Sequence, residues 1–495
     1  MDGYHPDTFP APAYARHVLG PAFDSSRQHL FGPLLVSTQA HLVMLAEQGI
    51  LDRERAARLL AAVAEASAQG PSAYRYDPGT EDLYFAVEKR ISEACGEDIG
   101  GDLPLARSRN DLDGTMARIV LRHQILRVLE LTLLVRERLS DLAARHLRTV
   151  MPGVTHTQEA QPTTLAHYLA GVLGPLQRDG ERLRLAYQHA NQSPLGVLAF
   201  TTTGLPISRE RTAELLGFSG IVENGYDAVG AADYMLETVA AMRTSGACLI
   251  RFVNDLLIWV RTEVGVARIG DEFIQISSIM PQKRNPVVLE HIRARIGYVF
   301  GDASTVEVLV HGAAFGDTVD VEDPIYVPLF RCCETMQAIL ELLAAVLATI
   351  TFDRDRLAER AGAGFGAATE LADRLSESGL SYRQAHHVVS RLVAELRDAG
   401  HDLRALTPPQ IEGAVTAVTG RRVPFTAAQL SSITDADAFV ARRSILGGPA
   451  PKAVRHSLSA EARQRRGLAR WLAGQRASLA AAQSLLERAV ADLRA

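Results

Sequence analysis

Cysteine is scarce. The four residues Cys95, Cys248, Cys332 and Cys333 are scattered over 495 positions, too thinly for a disulfide framework and without the paired spacing of a metal site. Reduced thiols in a cytoplasmic protein are the expectation. Neither sign of charge dominates: 52 Lys and Arg stand against 57 Asp and Glu, and the resulting −5 argues against a nucleic-acid partner. The opening, MDGYHPDTFPAPAYARHVLG, lacks the apolar stretch of a secretory leader. No apolar run approaches the roughly 18 residues of a membrane span, so no membrane partner is expected. β-branched alternation is almost absent, which removes sheet-based architectures from consideration.

What is present is the composition of a soluble globular protein, 47% hydrophobic and 22% charged, in a chain too long for one ordinary core. The segment 38–70 has helical spacing and ends at a Gly-Pro stop, and 80–98 opens on Thr80, Glu81 and Asp82, good N-terminal signals. A polar connector follows over 100–114. From Thr115 the spacing predicts one long helix to about residue 150, then others at roughly 163–190, 228–264, 286–310 and 327–351. The last is apolar nearly all round and should lie deep in a bundle. These readings give an all-α fold in three parts: 1–112, a central bundle over 113–362, and 363–495.

Two features invite readings that fail. The glycines of 361-AGAGFGAATELAD-373 superficially suggest a dinucleotide loop, but no strand is expected before them. His386 and His387 are adjacent, so on a helix they point about 100° apart, and no carboxylate lies at ligand spacing. Packing or surface is the better reading, and no metal is expected.

Three stretches carry chemistry. The first, 106-ARSRNDLDG-114, offers a hydroxyl, a guanidinium and an amide from Ser108, Arg109 and Asn110, a set suited to a carboxylate; Asp111 or Asp113 could equally start the long helix. The second, 151-MPGVTHTQEAQPTTLAHYL-169, places His156 on a loop after a Pro-Gly turn, with a helix start expected at Gln161-Pro162. The third, 276-ISSIMPQKRNP-286, sets Ser277, Ser278, Met280, Lys283 and Arg284 before a helix that Asn285 can cap, with Pro286 in its first position. Such a loop is either solvated surface or a seat for a carboxylate or phosphate.

Together these stretches resemble the signatures of the fumarase/aspartase superfamily, whose members form fumarate from substituted succinates. SSIMPQKRNP is similar to its S-S-x-M-P-x-K-x-N-P loop, and the other two resemble the argininosuccinate lyase branch. The resemblance implies a three-domain helical fold, a carbon–nitrogen lyase acting on an N-substituted aspartate, and no cofactor. It also implies a homotetramer whose active sites draw their motifs from different subunits. By resemblance, Ser277 is the catalytic base, His156 assists proton transfer, and Glu290 holds His156. Lys283, Asn285 and Thr155 bind carboxylates, while Ser108, Arg109, Asn110, Gln161, Ser278, Met280 and Asp82 lie at the substrate.

The chain also departs from the pattern. Ile276 and Ala106 stand where the family usually has glycine, Leu112 replaces a glutamine, and Gly230 and Ala232 replace Ser and Arg. In 312-GAAFGDTVDVEDPIY-326, Asp317, Glu322 and Ile325 align with a Tyr, a Gln and a Lys that help hold the arginine part of the substrate. Two acids gained and a cation lost should favour a more cationic amine, or one without a carboxylate. The expectations are therefore argininosuccinate as reference substrate, a different amine such as that of an ethylenediamine-disuccinate-type or secondary-metabolite compound, or a catalytically silent structural homologue, as lens crystallins are. Retention of Ser277, His156 and Lys283 together favours the enzyme.

Overall fold

Five consecutive long helices build the centre of the molecule because each repeats apolar residues at three- and four-residue intervals. In the computed structural model, which describes residues 9–495, they are α1 (Arg109–Arg145), α2 (Leu165–Ala190), α3 (Asp233–Trp259), α4 (Val287–Gly312) and α5 (Asp323–Thr349). The first eight residues, part of the stretch read for a leader, lie outside the described residues. Helix α1 packs on α2 and α5, α2 on α3, α3 on α4, and α4 on α5, so the contacts close into a ring. Helix α5 buries Leu329, Met336, Ile339, Leu343 and Leu347, as its all-round apolarity requires.

One sequence expectation needs amendment. Residues Val319–Thr349 reach the length and apolarity of a membrane span. Glu334 and Glu341 interrupt the apolar run. Packing between α1 and α4 accounts for the apolarity.

The segment 38–70 is two helices, Phe31–Glu47 and Arg53–Gln69. Gly49 supplies the positive φ that turns the chain, and Asp52 caps the second helix through the amides of Glu54 and Arg55. The Gly-Pro stop lies where expected. His386 and His387 are both exposed on the helix Tyr382–Asp398. The last helix, α6 (Pro451–Arg494), packs back on α1 and α2, while residues between Ala367 and Phe439 enclose a small core of their own. Arg136 of α1 and Glu461 of α6 fasten the return with two hydrogen bonds of 2.8 and 2.9 Å, at 1% and 6% side-chain exposure.

The chain is not wholly helical. Among the described residues, three two-stranded antiparallel ladders occur, and two of them hold candidate site residues. Strands β1 (Val150–Thr155) and β2 (Gln158–Thr164) form a hairpin; a two-residue ladder pairs Gln275–Ile276 with Arg284–Asn285.

Candidate active site

The first motif forms the start of α1. Ser108 occupies the cap position, and the buried Asp111 reaches back to its amide at 3.1 Å. Asp111 also accepts from the amides of Gly196 and Leu198, each at 2.8 Å, which ties a loop before α3 to the motif. Burial pushes the Asp111 carboxyl up to about 6, against the pull of those three N–H groups. The helix therefore begins at Arg109, six residues before the expected start, because the cap is the motif itself. Ala106 has φ 56°, the left-handed region, so the family's glycine there has a conformational reason.

The side chains of Ser108, Arg109 and Asn110 already have partners. Ser108 Oγ donates to Asn110 Oδ1 at 2.9 Å, and Asn110 Nδ2 donates to Asp317. Arg109 pairs with Asp82 and, at 3.4 Å, with Glu81, and its guanidinium lies over the Phe85 ring. Asp82 in turn caps the helix Leu83–Cys95 through the Phe85 amide at 2.9 Å. The structure thus brings Asp82, Arg109, Asn110, Asp317 and Glu322 together from three separate segments.

The second motif is the tip of the β1–β2 hairpin. Thr155 pairs with Gln158, and the two residues between, His156 and Thr157, have φ of 50° and 64°. A two-residue turn with both φ positive is a type I′ geometry that normally takes Asn-Gly. Histidine and a β-branched threonine there are strained, and strain of this kind concentrates at functional sites. His156 stands exposed at the apex. Gln161 and Pro162 lie in β2, and the following helix starts at Leu165 with Thr164 as its cap. The expected helix start was wrong because Pro152 and Pro162 face each other in the ladder. Gln161 donates to Thr369 at 3.0 Å and, with Thr155, borders a cavity of about 610 Å³.

The third motif projects from the start of α4. Asn285 is not the helix cap: it pairs with Gln275 in the ladder, and Pro286 takes the cap position. Ile276 pairs with Arg284, a place suited to a β-branched residue. The loop is exposed, with Ile276 at 68% and Ile279 at 86%. Ser277 Oγ accepts the amides of Met280 at 3.0 Å and Ile279 at 3.3 Å. Arg284 is taken up by Asp271, whereas Lys283 has no ion-pair partner among the described residues. Ser278 and Met280 are exposed beside it, and Glu290 is exposed in the first turn of α4.

Within this chain, no hydrogen bond among the described residues joins Ser277 to His156, or His156 to Glu290. The acidic region, by contrast, is larger than the sequence indicated. Burial pushes Glu322 up to about 9, aided by its hydrogen bond to Asp317 and the charges of Asp113, Asp317 and Asp323. Asp113 is likewise raised well above its usual range by burial and by Asp323 and Asp82. Asp113 and Asp323 were missed. Asp113 lies four residues after Arg109, on the same helix face, which was the available signal.

These features match known proteins. A family model described as lyase matches residues 35–301, and one described as the argininosuccinate lyase C-terminal region matches 365–441, the segment that contains the small separate core. The argininosuccinate lyase of Methanoculleus marisnigri is 39% identical over 88% of both chains. Argininosuccinate lyase 2 of Agrobacterium fabrum is 36% identical over 91% of this chain and 90% of its own. The structure of EDDS lyase in complex with formate superposes with a TM-score of 0.87 at 29% identity, covering 96% of this chain and 95% of that one. A class II fumarase from Schistosoma mansoni, at 15% identity and a TM-score of 0.70, shares the fold. The chain belongs to the fumarase/aspartase superfamily of lyases, in its argininosuccinate lyase branch. It is a carbon–nitrogen lyase of the argininosuccinate-lyase type.

Proposed function

We propose that the protein eliminates an amine from an N-substituted aspartate and releases fumarate, with Ser277 as base. The observation that carries this assignment is the pair of backbone amides directed at Ser277 Oγ. A serine hydroxyl is a poor base, and N–H donors aimed at its oxygen stabilise the negative charge that must develop there. Ser277 takes the proton from Cβ, and the electron pair moves toward the neighbouring carboxylate, which gains a second negative charge. Lys283, which has no acidic partner among the described residues, and Asn285 stabilise that charge. The C–N bond then breaks on the opposite face, its pair passing to nitrogen, and His156 supplies the proton the leaving amine requires. Thr155 and the Ser108–Arg109–Asn110 turn hold the substrate carboxylates, and Met280 with its loop covers the site.

A single chain does not complete this site. His156 stands on a hairpin tip and Ser277 on an exposed loop, and among the described residues neither has a catalytic partner from its own chain. Both are completed in a homotetramer, where the hairpin, the Ser loop and the α1 motif come from different subunits. The exposed Tyr298 and Val308 on α4, at 65% and 70%, are apolar surface suited to such packing. Glu290 holds His156 across that boundary.

The test is fumarate absorbance during incubation with argininosuccinate and other N-substituted aspartates. Fumarate should appear, and Ser277→Ala should reduce its release by orders of magnitude while leaving the assembly intact. Absence of fumarate from every such compound would overturn the assignment.

A further inference from the structure

The β1–β2 hairpin carries His156 at its tip, and the helical bundle leaves room beside it. Between the hairpin and helices α2 and α3 lies the cavity of about 610 Å³, lined by Gly153, Thr155 and Ala160 on one side and Tyr168, Cys248 and Phe252 on the other. The hairpin is gripped instead by a segment two hundred residues further along, the helix Arg354–Gly362 and the turn that follows it.

The grip runs the length of β2. At the base, Val150 packs with Ala361 and Val440 in a cluster apart from the main core. Higher up, Thr369 accepts the hydrogen bond from Gln161 at 3.0 Å. A methyl group built on Gly366 would stand 2.5 Å from the Ala160 carbonyl oxygen and 3.3 Å from Pro162 Cδ, so the turn lies as close to the strand as it does only because residue 366 is glycine. Nearest the tip, Arg360 donates from Nε and Nη2 to one oxygen of Glu159, at 3.0 and 2.7 Å. Glu159 pairs with Val154, one step below the Thr155–Gln158 pair that closes the turn.

A grip so near the tip has a chemical consequence. His156 and Thr157 both hold positive φ without the residues that suit it, and strained backbone persists only where its surroundings fix it. Arg360 and Glu159 are partly exposed, at 35% and 42%, and such a pair adds little to overall stability. What it can set is where the turn points.

Resting on the elimination and the shared site proposed above, we infer that Arg360 is a positioning residue, which through Glu159 aims His156 at the leaving amine. Arg360 does not touch the substrate, and the proton still passes from His156 to the amine nitrogen. Displacing a reacting group by about 1 Å can cost about a hundredfold in rate, so a looser tip should be felt in catalysis before it is felt in stability.

Mixed tetramers separate this role from a general structural one. Ser277→Ala chains supply intact His156 and His156→Ala chains supply intact Ser277, so in the reassociated mixture fumarate comes from sites whose imidazole lies on a Ser277→Ala chain. Arg360→Ala added to the Ser277→Ala chains should lower the recovered activity about tenfold. The same change on the His156→Ala chains should leave recovery within about twofold, because the hairpin there has no imidazole to aim. A defect of folding or assembly would lower both mixtures alike. An equal fall in both, or no fall in the first, overturns the inference and leaves the shared site standing. If the mixture without Arg360→Ala stays inactive although hybrids have formed, the shared site is wrong, and charge exchange in the uniform enzyme decides. Arg360→Glu and Glu159→Arg should then each lose about tenfold in kcat and together regain most of it. Losses that multiply, or no loss, overturn the inference. If the parent protein releases no fumarate from any N-substituted aspartate, the elimination fails and the inference falls with it.

Discussion

Asn110 donates its side-chain amide to Asp317 across 207 residues of sequence, fastening the first turn of α1 to the loop that follows α4. Its carbonyl is held by Ser108 Oγ at 2.9 Å, so both ends of the amide are committed before substrate arrives. In the proposed elimination Asp317 orients Asn110, one of the residues assigned to the substrate carboxylates, and lies on the side assigned to the amine. Asp317→Ala should raise KM for the amine about tenfold in the addition reaction, with a much smaller effect on KM for fumarate. Steady-state kinetics with each substrate varied in turn separates the two. Equal losses in both would mean that Asp317 only supports the fold.

Glu322 makes stability depend on pH in a definite direction. In the unfolded chain its carboxyl loses its proton near the ordinary range, whereas the folded chain retains it to about 9. Between those limits the unfolded state binds fewer protons, so this group's contribution to stability falls as pH rises. The groups facing it are Asp317, Asp113 and Asp323. Thermal midpoints should decline from pH 5 to 9 less steeply in Glu322→Gln than in the parent protein. Parallel curves would show that Glu322 ionises normally.

The hairpin tip stores strain. Thr157, at φ 64°, is β-branched in a region that suits glycine. Thr157→Gly should stabilise the protein by about 1 kcal/mol, the left-handed penalty less the entropy gained by the unfolded chain. Urea denaturation measures it. A loss of stability would indicate that the threonine side chain makes a contact worth more than the strain.

The pair Arg136–Glu461 is almost completely buried and joins α6 to the bundle. Removing one member leaves an uncompensated buried charge, so Glu461→Ala should cost about 3–5 kcal/mol. The double variant Arg136→Met, Glu461→Leu should recover most of that loss in the same denaturation series. No recovery would show that the hydrogen-bonded geometry, more than charge compensation, holds α6 in place.

Much of this architecture was legible in the sequence, because helical periodicity and caps are local signals. Gly70-Pro71 ended a helix where expected, and Asp82, the last of the three N-terminal signals at 80–82, caps the helix that follows. The failures have a common physical origin in tertiary pairing. Pro152 opposite Pro162 carries no alternating pattern, so the β1–β2 hairpin could not be read from either strand alone. Asn285 looked like a cap until Gln275 offered it a ladder partner. In the candidate site, Asp317 and Glu322 stood out as departures from a family pattern. Asp113 and Asp323 did not, since only folding brings the starts of α1 and α5 together. The amides directed at Ser277 were likewise invisible until the loop had a shape.

The central claim is that Ser277 and His156 act on one substrate from different chains, and mixed tetramers test it most directly. Ser277→Ala and His156→Ala proteins, each inactive alone, are dissociated, mixed in equal amounts and reassociated, and fumarate release is measured. Random assembly places both intact groups in about a quarter of the sites, so activity should return to about that fraction of the parent value. If the mixture stays inactive although hybrid tetramers have formed, the two groups belong to a single chain and the shared site is wrong.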